Sequence, residues 1–131
     1  MLIDTNIFLE VFLDQDRADD CSDFLEKVDL GELQGFVTDF TIHSLAVVLE
    51  KAGKGDSLHR VFASLSAFQG LTLLHASLLE HSDIALLARE IGLDFDDAYQ
   101  AYFAQRTNMP VISFDRHFDR VGERREPADF L

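Results

Sequence analysis

The sequence predicts an α/β fold in which a parallel sheet of short strands is covered by helices. Three observations predict it. Short apolar runs at Leu2-Ile3, Phe36-Val37, Leu71 to Leu74 and Val111-Ile112 have the length of strands buried on both faces. Between successive runs, apolar residues recur at three- and four-residue spacing, the mark of amphipathic helices. Helices between successive strands imply parallel crossovers and a sheet covered by helices.

Each element has its own signal. Strand one runs Leu2 to Asp4. Thr5 or Asn6 can cap the helix that follows, with Ile7, Phe8, Val11 and Phe12 on its apolar face. Asp16 to Leu30 reads as a second helix, with Cys21, Phe24, Leu25 and Val28 inward, and Gly31 or Gly35 ends that region. Phe36-Val37-Thr38 is the second strand. Asp39 to Lys51 is a helix with Ile42, Leu45, Val48 and Leu49 inward. Gly53 and Gly55 bracket a turn, and Asp56 is expected to cap a helix burying Leu58, Val61, Phe62, Leu65 and Phe68. Gly70 leads into strand Leu71 to Leu74. Ser77 begins a helix that runs to Glu90, with Gly92 in the position that closes it. Asp94 is expected to cap a helix to Arg106, because Asp94 and Asp97 are spaced like a capping box. Pro110 precedes strand Val111 to Ser113. The polar tail after Gly122 is expected to lie on the surface.

Composition sets the bounds. The 131 residues are expected to form one domain, 1–131, with no linker and no internal repeat. A chain of this length buries about two-thirds of its extended surface. Twelve Phe and 47% hydrophobic residues can fill a core. No apolar run approaches the ~20 residues of a membrane span. The N-terminus lacks the basic region of a secretory signal, and Ile3-Asp4 already reads as a strand end, so the mature chain is expected to start at Met1. Cys21 is the single cysteine, which excludes an internal disulfide and a cysteine-based zinc cluster. Cytoplasmic location, without membrane association, is the expectation.

Twenty-four acids against 11 bases give a net charge of −13. Nucleic-acid binders normally carry a basic footprint, and the longest basic run here is Arg124-Arg125. Two explanations stay open. Bound metal can neutralise part of an acidic site while a local Arg patch meets phosphate. Alternatively, the acidic surface serves a basic partner or a high-salt cytoplasm.

Three acidic clusters stand out. Strand one ends in Asp4-Thr5-Asn6, the last apolar strand in Ser113-Phe114-Asp115, and a late helix opens with Asp94-Phe95-Asp96-Asp97. Ligand sites of open α/β sheets lie where parallel strands end. Carboxylates delivered there make an oxygen-rich pocket suited to a hard divalent cation. Together these motifs resemble the PIN-domain nucleases, and especially the toxin ribonucleases of the VapC type. The resemblance covers the whole chain in order, although each motif alone is short.

The resemblance assigns roles to particular residues. An Asp closing strand one, followed by Thr or Ser and often Asn, is matched by Asp4-Thr5-Asn6. Thr5 hydroxyl can hold one carboxylate oxygen while the other meets metal; the plain alternative is that Asp4 only caps the first helix. An Asp in the first turn of a late helix, followed by Ala and an apolar residue, is matched by Asp97-Ala98-Tyr99. Asp96 turns about 100° away on the same helix, so one of the pair points into the site. Three acids there also simply favour the helix dipole. The pattern of a hydroxyl residue, one residue, then Asp with Phe soon after is matched by Ser113, Asp115 and Phe118. Ser113 and Asp115 share one face of extended chain, so Ser113 can hold a carboxylate or the attacking water. Asp119 reads as a solvated neighbour. His117, two beyond Asp115, can approach the site; His59, His75 and His81 read as surface residues. Arg116, Arg120 and Arg106 are the bases expected near the pocket, and Arg suits phosphate because its fork bonds two oxygens.

One position departs from the pattern. The family usually places a Glu five residues after the hydroxyl that ends strand two, and counting from Thr38 gives His43. Glu50 lies ~10 Å further along that helix and cannot replace it. His43 can coordinate metal, contact phosphate or orient a carboxylate; the plain alternative is a surface His satisfied by Asp39.

The resemblance therefore implies a metal-dependent endoribonuclease on a three-layer α/β/α PIN-like fold with a central parallel sheet of four or five short strands. Asp4, Asp97 and Asp115, with Asp96 adjacent, would hold Mg2+ or Mn2+. His43 would join them in catalysis, and Thr5, Asn6, Ser113 and Arg116 would meet the RNA substrate. A small antitoxin protein is the implied partner, and a homodimer a further expectation. Two other classes stay open. One is a catalytically degenerate PIN module acting by RNA or protein binding, favoured by His43. The other is an acidic phosphatase or receiver-like α/β protein, disfavoured because Leu71 to His75 supplies no Asp and the Val111 strand no Lys.

Overall fold

The computed structural model describes all 131 residues. Its sheet comprises β1 (Leu2–Ile3), β2 (Gly35–Thr38), β3 (Leu71–Leu74), β4 (Val111–Ile112) and β5 (Arg124–Arg125). All pairings are parallel, in the order β3-β2-β1-β4-β5. Six helices connect them: α1 (Thr5–Phe12), α2 (Ala18–Asp29), α3 (Asp39–Lys51), α4 (Leu58–Ala67), α5 (Leu78–Ile91) and α6 (Phe95–Thr107). The expected three-layer α/β/α architecture is borne out. No helix is long and apolar enough to cross a membrane.

Strand alternation distributes the core between two faces. Ile3, Val37 and Ile112 point to one side and pack with Ile7 and Phe8 of α1, Phe24 and Val28 of α2, Leu45 of α3 and Leu65 of α4. Leu2 and Val111 point to the other, against Ala104 of α6 and Phe118. Ile84 of α5 joins Ala98, Tyr99 and Phe103 of α6 on that second side. Cys21 is buried in α2, as expected.

Local chemistry fixes the helix ends. Ser77 and Glu80 form a reciprocal capping box at the start of α5. Gly92 ends α5 in the left-handed conformation, φ 67°. Thr38 caps α3 by accepting the Thr41 N–H. Four expected starts differ. Asp4, rather than Thr5 or Asn6, caps α1. The second helix begins at Ala18, after a turn, rather than at Asp16. Asp56 lies inside a 3-10 turn, Gly55–Ser57, and does not cap α4. Asp94 precedes α6 as its N-cap, but its side chain makes no capping bond, and the Asp97 carboxylate turns to His117 rather than back to the Asp94 N–H.

The tail is also more than a polar surface. Arg124-Arg125 pair beside β4 as the fifth strand. Phe130 then packs on Phe24, ring centroids 5.5 Å apart, and Pro127 is buried. An edge strand of two charged residues carries no apolar signal, so sequence pattern cannot find it.

Two glycines allow close backbone approach. A Cβ on Gly70 would lie 2.2 Å from the Leu33 carbonyl oxygen and 2.7 Å from that of Val28. A Cβ on Gly35 would meet side chains alone, Ile3 at 2.6 Å and Val28 at 3.4 Å. Backbone cannot rotate away as a side-chain end can. Gly35→Ala should therefore destabilise by about 1–3 kcal/mol, the usual range for overpacking, and Gly70→Ala by more. Urea unfolding of the two variants checks this, and equal midpoints would contradict it.

Candidate metal centre

The strand order reverses between β1 and β4, which lie side by side with Leu2 opposite Val111 and Ile3 opposite Ile112. A crevice opens beyond the carboxyl ends of strands at such a point, the usual ligand position in this class of sheet. Asp4 follows β1 there, and Ser113 and Asp115 follow β4. The first turn of α6 brings Asp97 to the same place.

Asp4 is 8% exposed, and both its oxygens are engaged. Oδ1 accepts the Thr5 backbone N–H at 2.7 Å and the Gln100 amide at 2.5 Å. Oδ2 accepts the Asn6 amide at 2.8 Å and the Ser113 hydroxyl at 2.6 Å. The Ser113 Oγ also accepts from Asn6 at 3.0 Å and from the Asp115 backbone N–H at 2.9 Å. One hydroxyl thus ties together the ends of both central strands. Asp4 caps α1 as well, so the capping and site roles are the same geometry. The Thr5 hydroxyl does not hold the carboxylate. It donates to Thr41 Oγ1 at 3.1 Å, and only the Thr5 main chain reaches Asp4.

In front of Asp4 stand Asp97, Asp115 and His117, whose ligand atoms all lie within 4.8 Å of one another. His117 Nδ1 is 3.3 Å from Asp115 and 3.6 Å from Asp97. Burial, followed by the nearby charges of Asp96, Asp115 and Asp4, pushes the Asp97 carboxyl up to about 6. Burial raises Asp4 too; its bonds from Ser113, Thr5 and Gln100 oppose this, and the Asp115 charge adds to it. These are carboxylates crowded in a partly dry pocket, short of positive charge.

The donor set fits a divalent cation. Two carboxylates and an imidazole converge, and their mutual repulsion is what a cation would relieve. Two further oxygens, Asn6 Oδ1 and Gln100 Oε1, are buried with no protein partner. They belong to the same amides that donate to Asp4, so they are free to take a metal-bound water.

The remaining expected residues lie less centrally. Asp96 is exposed beside Asp97. Arg116 is exposed in the turn Arg116–Arg120 that follows Asp115. His43 is exposed on α3, with no hydrogen bond to Asp4, Asp97, Asp115 or Asp39. Asp39 instead accepts the Tyr99 hydroxyl at 2.6 Å. Asp119 pairs with Arg124 at 2.8 Å and Arg106 with Glu80 at 3.0 Å, so neither serves the pocket. Sequence reasoning missed two groups. Gln100, 2% exposed, lies three residues after Asp97 and hence on its face of α6. It is the one amide in the run Ala98 to Ala104, a signal that could have found it. Arg124 donates to the Ser113 carbonyl at 2.9 Å and so steadies the end of β4; nothing local in its sequence points there.

Acidic side chains gathered at the switch point of a parallel sheet define an open-sheet α/β protein with its candidate ligand site beyond the strand ends. Comparison with known proteins narrows it. The PIN domain profile matches residues 1–124, and the chain belongs to the PIN domain family. That removes the receiver-like alternative. A search of curated proteins by sequence gives no match. Among solved structures, a toxin–antitoxin complex from Klebsiella pneumoniae is similar at TM-score 0.70 and 18% identity, over 96% of each chain. FitAcB from Neisseria gonorrhoeae gives TM-score 0.70 and 19% identity over 97% of each chain. VapBC2 from Rickettsia felis, bound to a DNA fragment from their promoter, gives TM-score 0.68 and 16% identity, over 95% of this chain and 96% of that one.

The Asp97 carboxyl generates a pH prediction. Its ordinary value of 3.8 applies to the unfolded chain, and the folded value is about 6. Between these the folded state holds more protons than the unfolded state, so stability falls as pH rises through the window. Asp97→Asn removes that penalty. In chelator, its melting temperature should exceed that of the parent at pH 7.5, and the gain should vanish as pH falls toward 4. A difference independent of pH would contradict the crowding.

Proposed function

We propose that the chain is a divalent-metal-dependent endoribonuclease, the toxin of a toxin–antitoxin pair. The observation that carries this is the convergence of Asp97, Asp115 and His117 in front of a fully hydrogen-bonded Asp4. PIN membership and the toxin–antitoxin neighbours support it.

Asp97, Asp115 and His117 would hold Mg2+ or Mn2+, with Asp4 completing the negative field and Asp96 at its edge. When bound, the metal would lower the pKa of a coordinated water and stabilise charge developing on the phosphate. The protein's own part is positional. Ser113, Asn6, Gln100 and the Thr5 N–H hold Asp4 in one rotamer. Gln100 and Asp97 share one face of α6, so movement of that helix would displace both. Arg116, exposed beside Asp115, is free to meet phosphate. The antitoxin partner would bring Arg or Lys to the acidic cleft, an attraction that weakens as salt rises.

A second reading, a PIN module that binds without cleaving, is favoured by position 43, where an exposed His supplies no carboxylate. Cleavage of structured and unstructured RNA with Mg2+ or Mn2+ decides between them. The nuclease reading expects cleavage that is lost by at least ~100-fold in Asp4→Asn, Asp97→Asn and Asp115→Asn. Metal binding with no cleavage in any RNA would favour the binding module.

The ligand types give a further expectation. Nitrogen suits Mn2+ better than Mg2+. His117→Ala should weaken Mn2+ binding by about tenfold, a typical effect around a metal site, and leave Mg2+ binding less affected. His43→Ala should leave both unchanged. Calorimetric titration of the two variants checks this; an effect at His43 matching that at His117 would put His43 back among the ligands.

A further inference from the structure

Beside the carboxylates lies an open cleft of about 530 Å3, lined by Asn6, Glu10, Gln15, Asp16, Arg17 and Phe114. Two of these residues belong to the centre's own segments. Asn6 donates to Asp4 and Ser113, and Phe114 stands between Ser113 and Asp115. The cleft therefore adjoins the two chain segments that carry Asp4 and Asp115.

The loop joining α1 to α2 builds its far wall, and that loop is well fixed. Asp14 takes the left-handed conformation, φ 51°, and its N–H reaches the Val11 carbonyl. The Gln15 N–H reaches the Glu10 carbonyl at 2.9 Å, and the Arg17 N–H reaches Glu10 Oε2 at 2.8 Å. This presents the Arg17 side chain over Phe114, with the guanidinium carbon 4.1 Å from the ring centroid. The ring backs one face of the guanidinium. The other face is open, because Arg17 is exposed and its guanidinium makes no ion pair or hydrogen bond within the protein.

A flat cation seated on an aromatic ring is a surface on which an unpaired RNA base stacks. The cleft's other groups decide which ligand suits it. A second phosphate is disfavoured, because Glu10 and Asp16 bring two carboxylates against one guanidinium. A neutral ring with N–H donors on its edge satisfies both: it stacks on Arg17 and donates to the carboxylates. Glu10 has Oε1 to spare, and neither Asp16 nor the Gln15 amide has a protein partner. Guanine fits best, since its N1–H and N2 amino group lie side by side and match the two oxygens of one carboxylate. Uracil offers a single N–H between two carbonyl oxygens, which a carboxylate repels.

The geometry points to a guanine-binding pocket at Arg17, Glu10 and Asp16, which selects the base next to the cleaved bond. The inference rests on the ribonuclease reading for its role in cleavage, but the binding itself does not. The first arm of the test is titration of the full chain with guanosine and with uridine, without metal, followed by NMR. Guanosine should shift the Arg17 side-chain and Phe114 signals and bind about tenfold more tightly than uridine, the discrimination expected of one bidentate contact. Arg17→Ala should lose guanosine binding, and Glu10→Gln or Asp16→Asn should bring the two nucleosides level. Equal binding of both nucleosides, shifts confined to other residues, or no effect of any of these variants would overturn the pocket. The second arm sequences the ends produced from a random single-stranded RNA pool with Mn2+. Guanine should be enriched beside the cut, and the enrichment should flatten in Arg17→Ala. Cleavage without base preference, or with a preference unchanged by all three variants, would overturn the pocket and leave the ribonuclease reading standing. Absence of any Asp97-dependent cleavage would sink that reading, and nucleoside binding would still decide the pocket.

Discussion

The Ser113 hydroxyl is the joint on which the candidate centre depends. It donates to Asp4 at the end of β1 and accepts from the Asp115 N–H at the end of β4. Asn6 braces the same oxygen from α1. Two strands that share only two residue pairs are thereby locked at the point where their order reverses. Without that joint, the repulsion among Asp4, Asp97 and Asp115 would splay the ends they sit on. Gln100 closes the arrangement from the third side, because α6 carries both it and Asp97. Removing one partner from a buried carboxylate leaves the desolvation penalty unopposed, so such cages tend to be kept whole or lost together.

The charge balance follows from the same geometry. Several bases are already committed: Arg124 to Asp119 and Glu126, Arg125 to Glu123, and Arg106 to Glu80. Arg17, in the loop after α1, and Arg116, next to Asp115, remain exposed and without an ion pair. An overall charge of −13 slows approach of RNA at long range. On the proposed function, contact would then rely on metal within the centre and on those two arginines. The same field would draw a basic antitoxin segment to the place a metal ion would take.

The sheet, its helices and the three Asp positions were legible because each rests on a local signal. Apolar runs mark buried strands, three- and four-residue spacing marks helices, and an Asp at a strand end is conspicuous. What stayed hidden depends on partners distant in sequence. The Arg124-Arg125 strand has no apolar residue and exists because β4 offers a free edge. Thr5 turns its hydroxyl to Thr41, 36 residues away, rather than to the adjacent carboxylate. The Asp94–Asp97 spacing fits a capping box, yet the Asp94 side chain makes no capping bond and the Asp97 carboxylate faces His117. His117, by contrast, was legible as a residue able to approach the site, and a 3-10 turn swings its ring back over the Asp115 carboxylate. His43 occupies a family position of note, but the helix presents it to solvent.

The central claim is that the Asp97, Asp115 and His117 cluster holds a divalent cation in front of Asp4. The most direct measurement is an anomalous difference map from crystals of the full chain soaked in Mn2+. The account predicts a manganese peak bonded at about 2–2.6 Å to Asp97 and Asp115, with the Ser113–Asp4 bond intact behind it. Full occupancy elsewhere on the surface with no density at this cluster would contradict it.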